Sequence, residues 1–538
     1  MYSDKSIKML RLVDLISLSK IEKRAFLCIF SIVVLSLLSL IQADTLYMDD
    51  MFRVLMGVTF WENDGRPLAS LASQAIQLGQ PLTDVSPLPQ ILALALYSLS
   101  AVYLGKVFEV NDVLFLSLCG VCFALNPFNL QNFCYIFDSF TMGLAVLTAT
   151  ISVFLLKAVL EKNVNKFQSV VLFTSIFILL LSTLCLYQFG SSVYIGATAF
   201  YLLAQLSKDG NIKKSIQWFI VSSGMLLLSL LAYIPVKNFY AKSMYVAGRA
   251  KIPALAKLPT VLEENLLSSV KYVHMSLGKE LSFILCVLLA ALVTSVVVLI
   301  FKIFQKKEGS LLNILRLLFV SSLALFYCFL LPVSFYGLSL IFENPTSDYE
   351  PRFFMGVSTV VGSSCLFLSK TFHSSKLLRF LLSCLLALLC LFSMNVSLTL
   401  GNALQAQNDK EEVVTTSLLS DLETEISKVI DFPEVPKIAI LGQLSRASFS
   451  IKAFEKYPIL NKTIPFYLED NSWHGHKRLQ DLGLEAYERA VIEVSGKEVS
   501  GEDISQSSFH IPDTSFVISR RAYDVYLKDG DTFIVLFR

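Results

Sequence analysis

Two adjacent acids stand four and three residues ahead of an arginine in Tyr47-Met48-Asp49-Asp50-Met51-Phe52-Arg53. A second polar cluster follows, Trp61-Glu62-Asn63-Asp64-Gly65-Arg66-Pro67. Both come soon after an apolar stretch, Ala25 to Ile41, and charge held so close to hydrocarbon is costly and points to function. On a helix, one or both acids share a face with Arg53. A carboxylate there suits a general base, taking the proton of a sugar hydroxyl as that oxygen attacks an anomeric carbon. A phosphate leaving group needs cationic donors rather than a general acid. Arg53, Arg66 and Arg352, the last from Glu350-Pro351-Arg352, are the candidates for holding that donor phosphate. The plainer alternatives are a helix cap with an internal ion pair for the acids and interfacial snorkelling for the arginines.

Other residues carry weaker signals. Asp138, in Phe137-Asp138-Ser139, reads first as an N-cap, and Asp84, in Asp84-Val85-Ser86-Pro87, as another. Trp473-His474-Gly475-His476 has two histidines but no partnered carboxylate motif, so no metal is expected. Trp473 instead offers a surface on which a sugar ring can stack. Trp61, Asp84, Asp138 and Trp473 are therefore candidate substrate contacts. Cys119 and Cys122 form a C-x-x-C inside an apolar run without a second pair and read as packing residues. Neither a P-loop nor a G-x-G-x-x-G ahead of a helix is present, which disfavours a nucleotide-sugar donor, and no cofactor is expected.

The elements that must position these residues are membrane spans. Of the 538 residues 54% are hydrophobic and 16% charged, against roughly 25% charged in soluble domains. Eleven apolar segments can be drawn, at 25–43, 87–105, 112–128, 139–157, 168–188, 190–206, 216–236, 281–302, 312–335, 353–370 and 377–396. The first is too long for the core of a cleaved signal and reads as a retained anchor. Lysine and arginine fall in the leader (Lys5, Lys8, Arg11) and in alternate short loops such as Lys208/Lys213/Lys214 and Lys302/Lys306/Lys307. That places the N-terminus in the cytoplasm and, with an odd number of spans, the C-terminus outside. The net charge of +2 is dispersed and gives no nucleic-acid footprint.

Three outer elements follow from this topology. The first outer loop, 44–86, contains an amphipathic stretch in which Leu68, Leu71, Ala72, Ala75 and Ile76 share one face, suited to the membrane interface. The large outer loop, 237–280, is basic and could meet anionic lipid. The tail, 397–538, reads as a small α/β domain, with a helix near 402–430 and strands at Lys437–Leu441, Ala490–Val494, Ser515–Ser519 and Thr532–Phe537. Residues 1–396 would form the transmembrane catalytic domain.

Taken together, several motifs resemble the Gtr-type serotype-converting glucosyltransferases of bacterial O-antigen. They are Asp49-Asp50-x-x-Arg53, Trp61-x-x-x-Gly65-Arg66-Pro67-Leu68, Asp84-x-Ser86-Pro87-Leu88-x-Gln90, and Asn126-Pro127-Phe128 running into Tyr135-x-Phe137-Asp138-Ser139. The resemblance is densest over residues 40–145 and continues through Tyr187-Gln188 and Arg352 into the tail. It implies an α-helical polytopic membrane protein with a GT-C-like bundle of about 11 transmembrane helices, in the bacterial inner membrane, with a periplasmic C-terminal α/β domain. It also implies inverting transfer of glucose from undecaprenyl-phosphate-glucose to an O-antigen polysaccharide acceptor on the periplasmic face, without a metal. Membrane lipids, a lipid-phosphate-glucose synthase and a flippase would be its functional partners. The family's catalytic acid in the first outer loop coincides with Asp49/Asp50, of which Asp50 is favoured, with Asp44 nearby. The competing readings are a transporter or flippase for a lipid-linked sugar, or a GT-C transferase acting on lipid A or protein. A transporter should place charge near mid-membrane, whereas these charges lie at the outer edge.

Overall fold

Backbone groups in hydrocarbon must be satisfied within their own segment, so long apolar runs fold as helices, and helices dominate this chain. The structure, a computed structural model, describes residues 16–162, 164–209, 211–241, 251–305, 311–343, 350–372, 375–430, 435–470, 472–484, 487–494, 497–498 and 514–538. Among the described residues, seven helices are long and apolar enough to cross a membrane: Leu88–Phe108, Ser139–Glu161, Lys166–Leu186, Ile212–Tyr240, Leu318–Ile341, Pro351–Thr371 and Lys376–Val429. Val113–Ala124 and Pro127–Cys134, bent by 63° at their junction, make an eighth if they form one broken span. The chain is a polytopic α-helical membrane protein with a small C-terminal β-sheet unit. Of the eleven expected segments, the first is divided at Leu37 between Lys20–Ser36, 17 residues, and Leu38–Ala43, 6 residues.

The bend in the third segment has a local cause. The Asn126 side chain accepts the backbone N–H of Phe128, and Pro127 opens the second piece, where its missing N–H costs nothing. This half-helix, Pro127–Cys134, is buried throughout although it contains Asn129, Gln131 and Asn132.

The expected first outer loop folds as three short helices, Asp49–Met56, Trp61–Asp64 and Pro67–Gln77. The last of these turns its small residues Ala69, Ser70 and Ser73 inward and leaves Leu71 60% exposed, an apolar face of the kind that lipid covers. Much of the segment expected as a large loop at 237–280 is helical, because Leu258–Gln305 begins well before its apolar half and bends at Gly278. One of its basic residues, Lys251, pairs with Glu343 at 2.6 Å, while Lys242 and Arg249 lie outside the described residues.

The helix that carries the last span does not end at 396. Lys376–Val429 runs for 54 residues without a break. At 1.5 Å per residue that is about 80 Å, against about 30 Å of hydrocarbon. The domain border drawn from sequence therefore falls inside one rod. That rod supports a five-stranded sheet in the order Glu488–Arg489, Lys437–Leu441, Thr532–Phe537, Tyr523–Lys528, Thr514–Ser519. Lys437–Leu441 is parallel to both its neighbours, and the remaining pairs are antiparallel. Ile438, Ile440, Val525, Phe533 and Val535 pack one face of the sheet on Leu418 and Leu422 of the long helix. Tyr523–Lys528, an alternating strand joined to the next by Asp529-Gly530, is one that sequence reading passed over, along with the two-residue strands Glu488–Arg489 and Lys497–Glu498.

Candidate active site

The Asp49–Met56 helix is entered through a strained residue, Met48 at φ 51, ψ −112. A non-glycine residue keeps such a conformation only when its surroundings impose it. Here the Tyr467 hydroxyl accepts the Met48 N–H at 3.3 Å and donates to the Leu46 carbonyl at 3.2 Å. Successive helical residues point about 100° apart, so Asp49 and Asp50 enter different environments. Asp50 is fully buried, and its carboxylate accepts the backbone N–H groups of Ile136 at 2.9 Å, Phe137 at 3.3 Å and Tyr47 at 3.3 Å. Burial pushes its carboxyl up, against the pull of Arg53, and Asp138 adds to the rise. The preference for Asp50 as the reactive acid meets this obstacle: its oxygens already hold a loop in place.

Asp49 keeps 48% of its side chain exposed and has the His474 imidazole Nε2 3.6 Å from Oδ1. Burial of its inner side would raise the Asp49 carboxyl, but His474, Arg53 and Arg352 outweigh this and hold it well below the usual carboxylate range. Solvent at the open side screens part of that attraction.

Asp138 ties the two sequence clusters together. Its Oδ1 accepts the Trp61 indole N–H at 2.5 Å and lies 3.6 Å from Arg66 Nη1, while Oδ2 is 3.0 Å from Arg53 Nη1. The Arg53 guanidinium also lies over the Trp61 ring at 4.3 Å. Asp138 does precede the Ser139–Glu161 helix, but it makes no side-chain capping bond. The expected cap is corrected by this geometry: Trp61 and the two arginines occupy the carboxylate instead. Asp138 and Trp61, buried at 2% and 0% exposure, are not open to substrate.

Arg66 reaches Asp64 at 2.9 Å and faces the Tyr187 ring at 5.9 Å. Burial would lower the Arg66 guanidinium, but Asp138 and Asp64 overcome this and secure its charge. Its chain position is fixed by Gly65, at φ 75, where a β-carbon would lie 2.7 Å from the Tyr233 hydroxyl oxygen. That hydroxyl donates to the Gly65 carbonyl at 2.9 Å. Arg352 lies over the Tyr135 ring at 4.7 Å, with Nε 2.7 Å from Glu350.

Sequence reading missed the groups that hold Arg352. Gln131 donates to Glu350 and to the Tyr47 hydroxyl, each at 3.0 Å, and accepts the Arg352 N–H at 3.0 Å. The available signal was the run of amides in an otherwise apolar span. Trp473 is brought to the site, its ring 5.5 Å from Phe52. Asp84 is not: it is exposed, accepts the Ser86 N–H at 2.8 Å in a local turn, and no described contact joins it to the arginines. Among the described residues no group of three or more His, Cys, Asp or Glu is placed to hold a metal ion.

An open carboxylate that His474, Arg53 and Arg352 favour in its ionised form suits proton abstraction beside a departing phosphate. A model of the family described as glucosyl transferase GtrII matches residues 38–368, more than half of the chain. The chain belongs to this family. The GtrII match takes in Asp49, the three arginines and Asp138, and ends well before His474 and Trp473. The chain is also similar to a protein of Salmonella phage P22 described as an uncharacterized 55.3 kDa protein in the gtrB 5' region. The two are 29% identical over 227 residues, 42% of this chain and 43% of the phage protein. The match thus spans less than half the length of that relative. No solved structure matches the chain.

Proposed function

We propose that this GtrII-family chain is an inverting GT-C type glycosyltransferase. It would move glucose from undecaprenyl-phosphate-glucose to lipid-linked O-antigen on the periplasmic face of the inner membrane, converting serotype. In this reading residues 1–396 form the bundle of about eleven spans, and 397–538 the periplasmic unit. An acceptor hydroxyl gives its proton to Asp49 as its oxygen forms a bond to the anomeric carbon. The bond from that carbon to the phosphate oxygen breaks, and its electron pair leaves with the phosphate. Arg66 and Arg352 stabilise the added charge. Attack opposite the leaving group inverts the centre, so a β-phospho donor gives an α-linked branch.

The observation that carries this reading is the pairing of family with geometry: within the GtrII stretch, Asp49 has a carboxylate that is both open and held ionised. Asp49 takes the role of base rather than Asp50, whose oxygens are engaged by backbone N–H groups. The test is expression with a lipid-phosphate-glucose synthase in O-antigen-producing hosts, followed by mass spectrometry and linkage analysis of the polysaccharide. An added hexose is expected. Unchanged O-antigen in every such host, with the chain present in the membrane, would overturn the assignment.

A further inference from the structure

The tail beyond the GtrII stretch reaches Asp49 from the helix Trp473–Asp481. Three contacts set its placement. Ser472 caps it by accepting the Gly475 N–H, and a β-carbon at Gly475 would meet the Tyr467 carbonyl oxygen at 2.5 Å. Only glycine lets the helix sit this close. Tyr467 is the residue whose hydroxyl binds Leu46 and Met48, so one side chain and its own carbonyl set both the approach to Asp49 and the seat of the facing helix. At the far end, Arg478 donates to Asn408 at 3.0 Å, anchoring the helix to the long rod.

Within that frame His474 Nε2 is shielded from solvent, has no hydrogen-bond partner among the described residues, and lies 3.6 Å from Asp49 Oδ1. His476 is turned elsewhere, its Nδ1 3.1 Å from the Tyr487 hydroxyl, so the two histidines do not act as a pair. The other groups facing Asp49 are Arg53 on its own helix, Arg352 from the Pro351–Phe354 turn, and the Tyr135 phenol.

We propose that His474 is a positioning residue for Asp49, so that the C-terminal unit completes the active site. This rests on the reading of Asp49 as the base. An aspartate carboxylate turns easily about its last torsion. A proton on Nε2 is a donor in both the neutral and the charged imidazole, and it fixes Oδ1. The second oxygen is then aimed at the acceptor hydroxyl. Contacts of this kind are long before substrate binds and tighten in the complex.

The test uses the full-length chain in proteoliposomes, with undecaprenyl-phosphate-glucose and lipid-linked O-antigen from the host strain, and measures kcat and KM across pH. His474→Ala should lower kcat about 10- to 100-fold, the scale of a misplaced catalytic group, while donor KM stays within about twofold. Loss of an interaction that favours the ionised acid should also move the acid limb of kcat to higher pH. His474→Gln, which keeps an N–H donor, should recover most of the rate and show that the alanine effect is not misfolding. An unchanged kcat and acid limb in His474→Ala, or no recovery in a folded His474→Gln, overturns the proposal. Asp49→Asn is run alongside. If it transfers normally, the base assignment fails and this inference with it; if it is inactive while His474→Ala is normal, only the role of His474 fails.

Discussion

Trp61 and Asp138, 77 residues apart in sequence, are joined by an indole N–H that donates to the carboxylate at 2.5 Å. The same carboxylate faces Arg53 and Arg66, so three segments share one buried negative charge. Removing that charge takes away the ion-pair partner of Arg53 and leaves Arg66 with Asp64 alone.

Asp138→Asn should therefore destabilise the fold by about 3–5 kcal/mol, the usual cost of breaking a buried ion pair from one side. The side chains of Arg53 and Asp138 are 7% and 3% exposed, so solvent does little to soften the loss. Trp61→Phe, which removes one neutral donor, should cost only about 1–3 kcal/mol. Thermal unfolding of the purified variants in one detergent checks the order; equal losses would deny Asp138 its role as the shared counter-charge.

The two neighbouring acids should separate cleanly. Asp49→Asn is expected to lower kcat by at least about 100-fold, the scale of general-base catalysis, with unfolding close to wild type. Asp50→Asn replaces one of two accepting oxygens with a donor that faces backbone N–H groups. It should lose about 1–3 kcal/mol of stability and keep its turnover while folded. The opposite pattern, an inactive but stable Asp50→Asn, would return the base to Asp50.

The pH dependence of each acid has its own sign. Asp49 is held below the ordinary aspartate value, so it stays ionised until pH falls through that lowered point. The acid limb of kcat/KM should then lie below about pH 3.9, the unperturbed value, and any stability Asp49 gives is present above that and lost below it. Asp50 is raised, so its contribution to stability is complete at low pH and lost as pH rises through its folded value. Unfolding followed from acid to neutral pH should show this loss in the wild type and not in Asp50→Asn.

Arg66 should report on the donor phosphate. Arg66→Ala is expected to raise donor KM about 10- to 100-fold, as a charge-assisted contact worth roughly 1.5–3 kcal/mol would. Gly65→Ala should act in the same direction, because the left-handed backbone and the nearby Tyr233 hydroxyl leave no room for the methyl group. Donor titrations with initial rates measure both; an unchanged KM in Arg66→Ala would reduce it to a structural partner of Asp64.

The helical bundle was legible because hydrocarbon imposes a rule on every residue of a span, visible as an unbroken apolar run such as 139–157. Asp49, Asp50, Arg53, Arg66 and Arg352 were legible for the converse reason, as charges beside hydrocarbon. Asp138 looked like a cap because the nearest backbone is the only partner that sequence order displays. The long helix Lys376–Val429 hid its continuity at the point where composition turns from apolar to polar, since helical hydrogen bonding is indifferent to that change. Asp84 carried the motif's spacing yet settled into a local turn with Ser86, which no spacing rule forbids.

The sequence alone determined that this chain crosses a membrane and that a few acids and arginines stand close to the ends of its apolar runs. Both follow from the cost of polar groups in hydrocarbon, which each segment meets by itself. Only the tertiary structure decided which of two adjacent acids is open. Asp49 and Asp50 differ little in chemistry and by about 100° in direction. Ile136 and Phe137 close over one, His474 faces the other, and those neighbours arrive from segments 86 to more than 400 residues away.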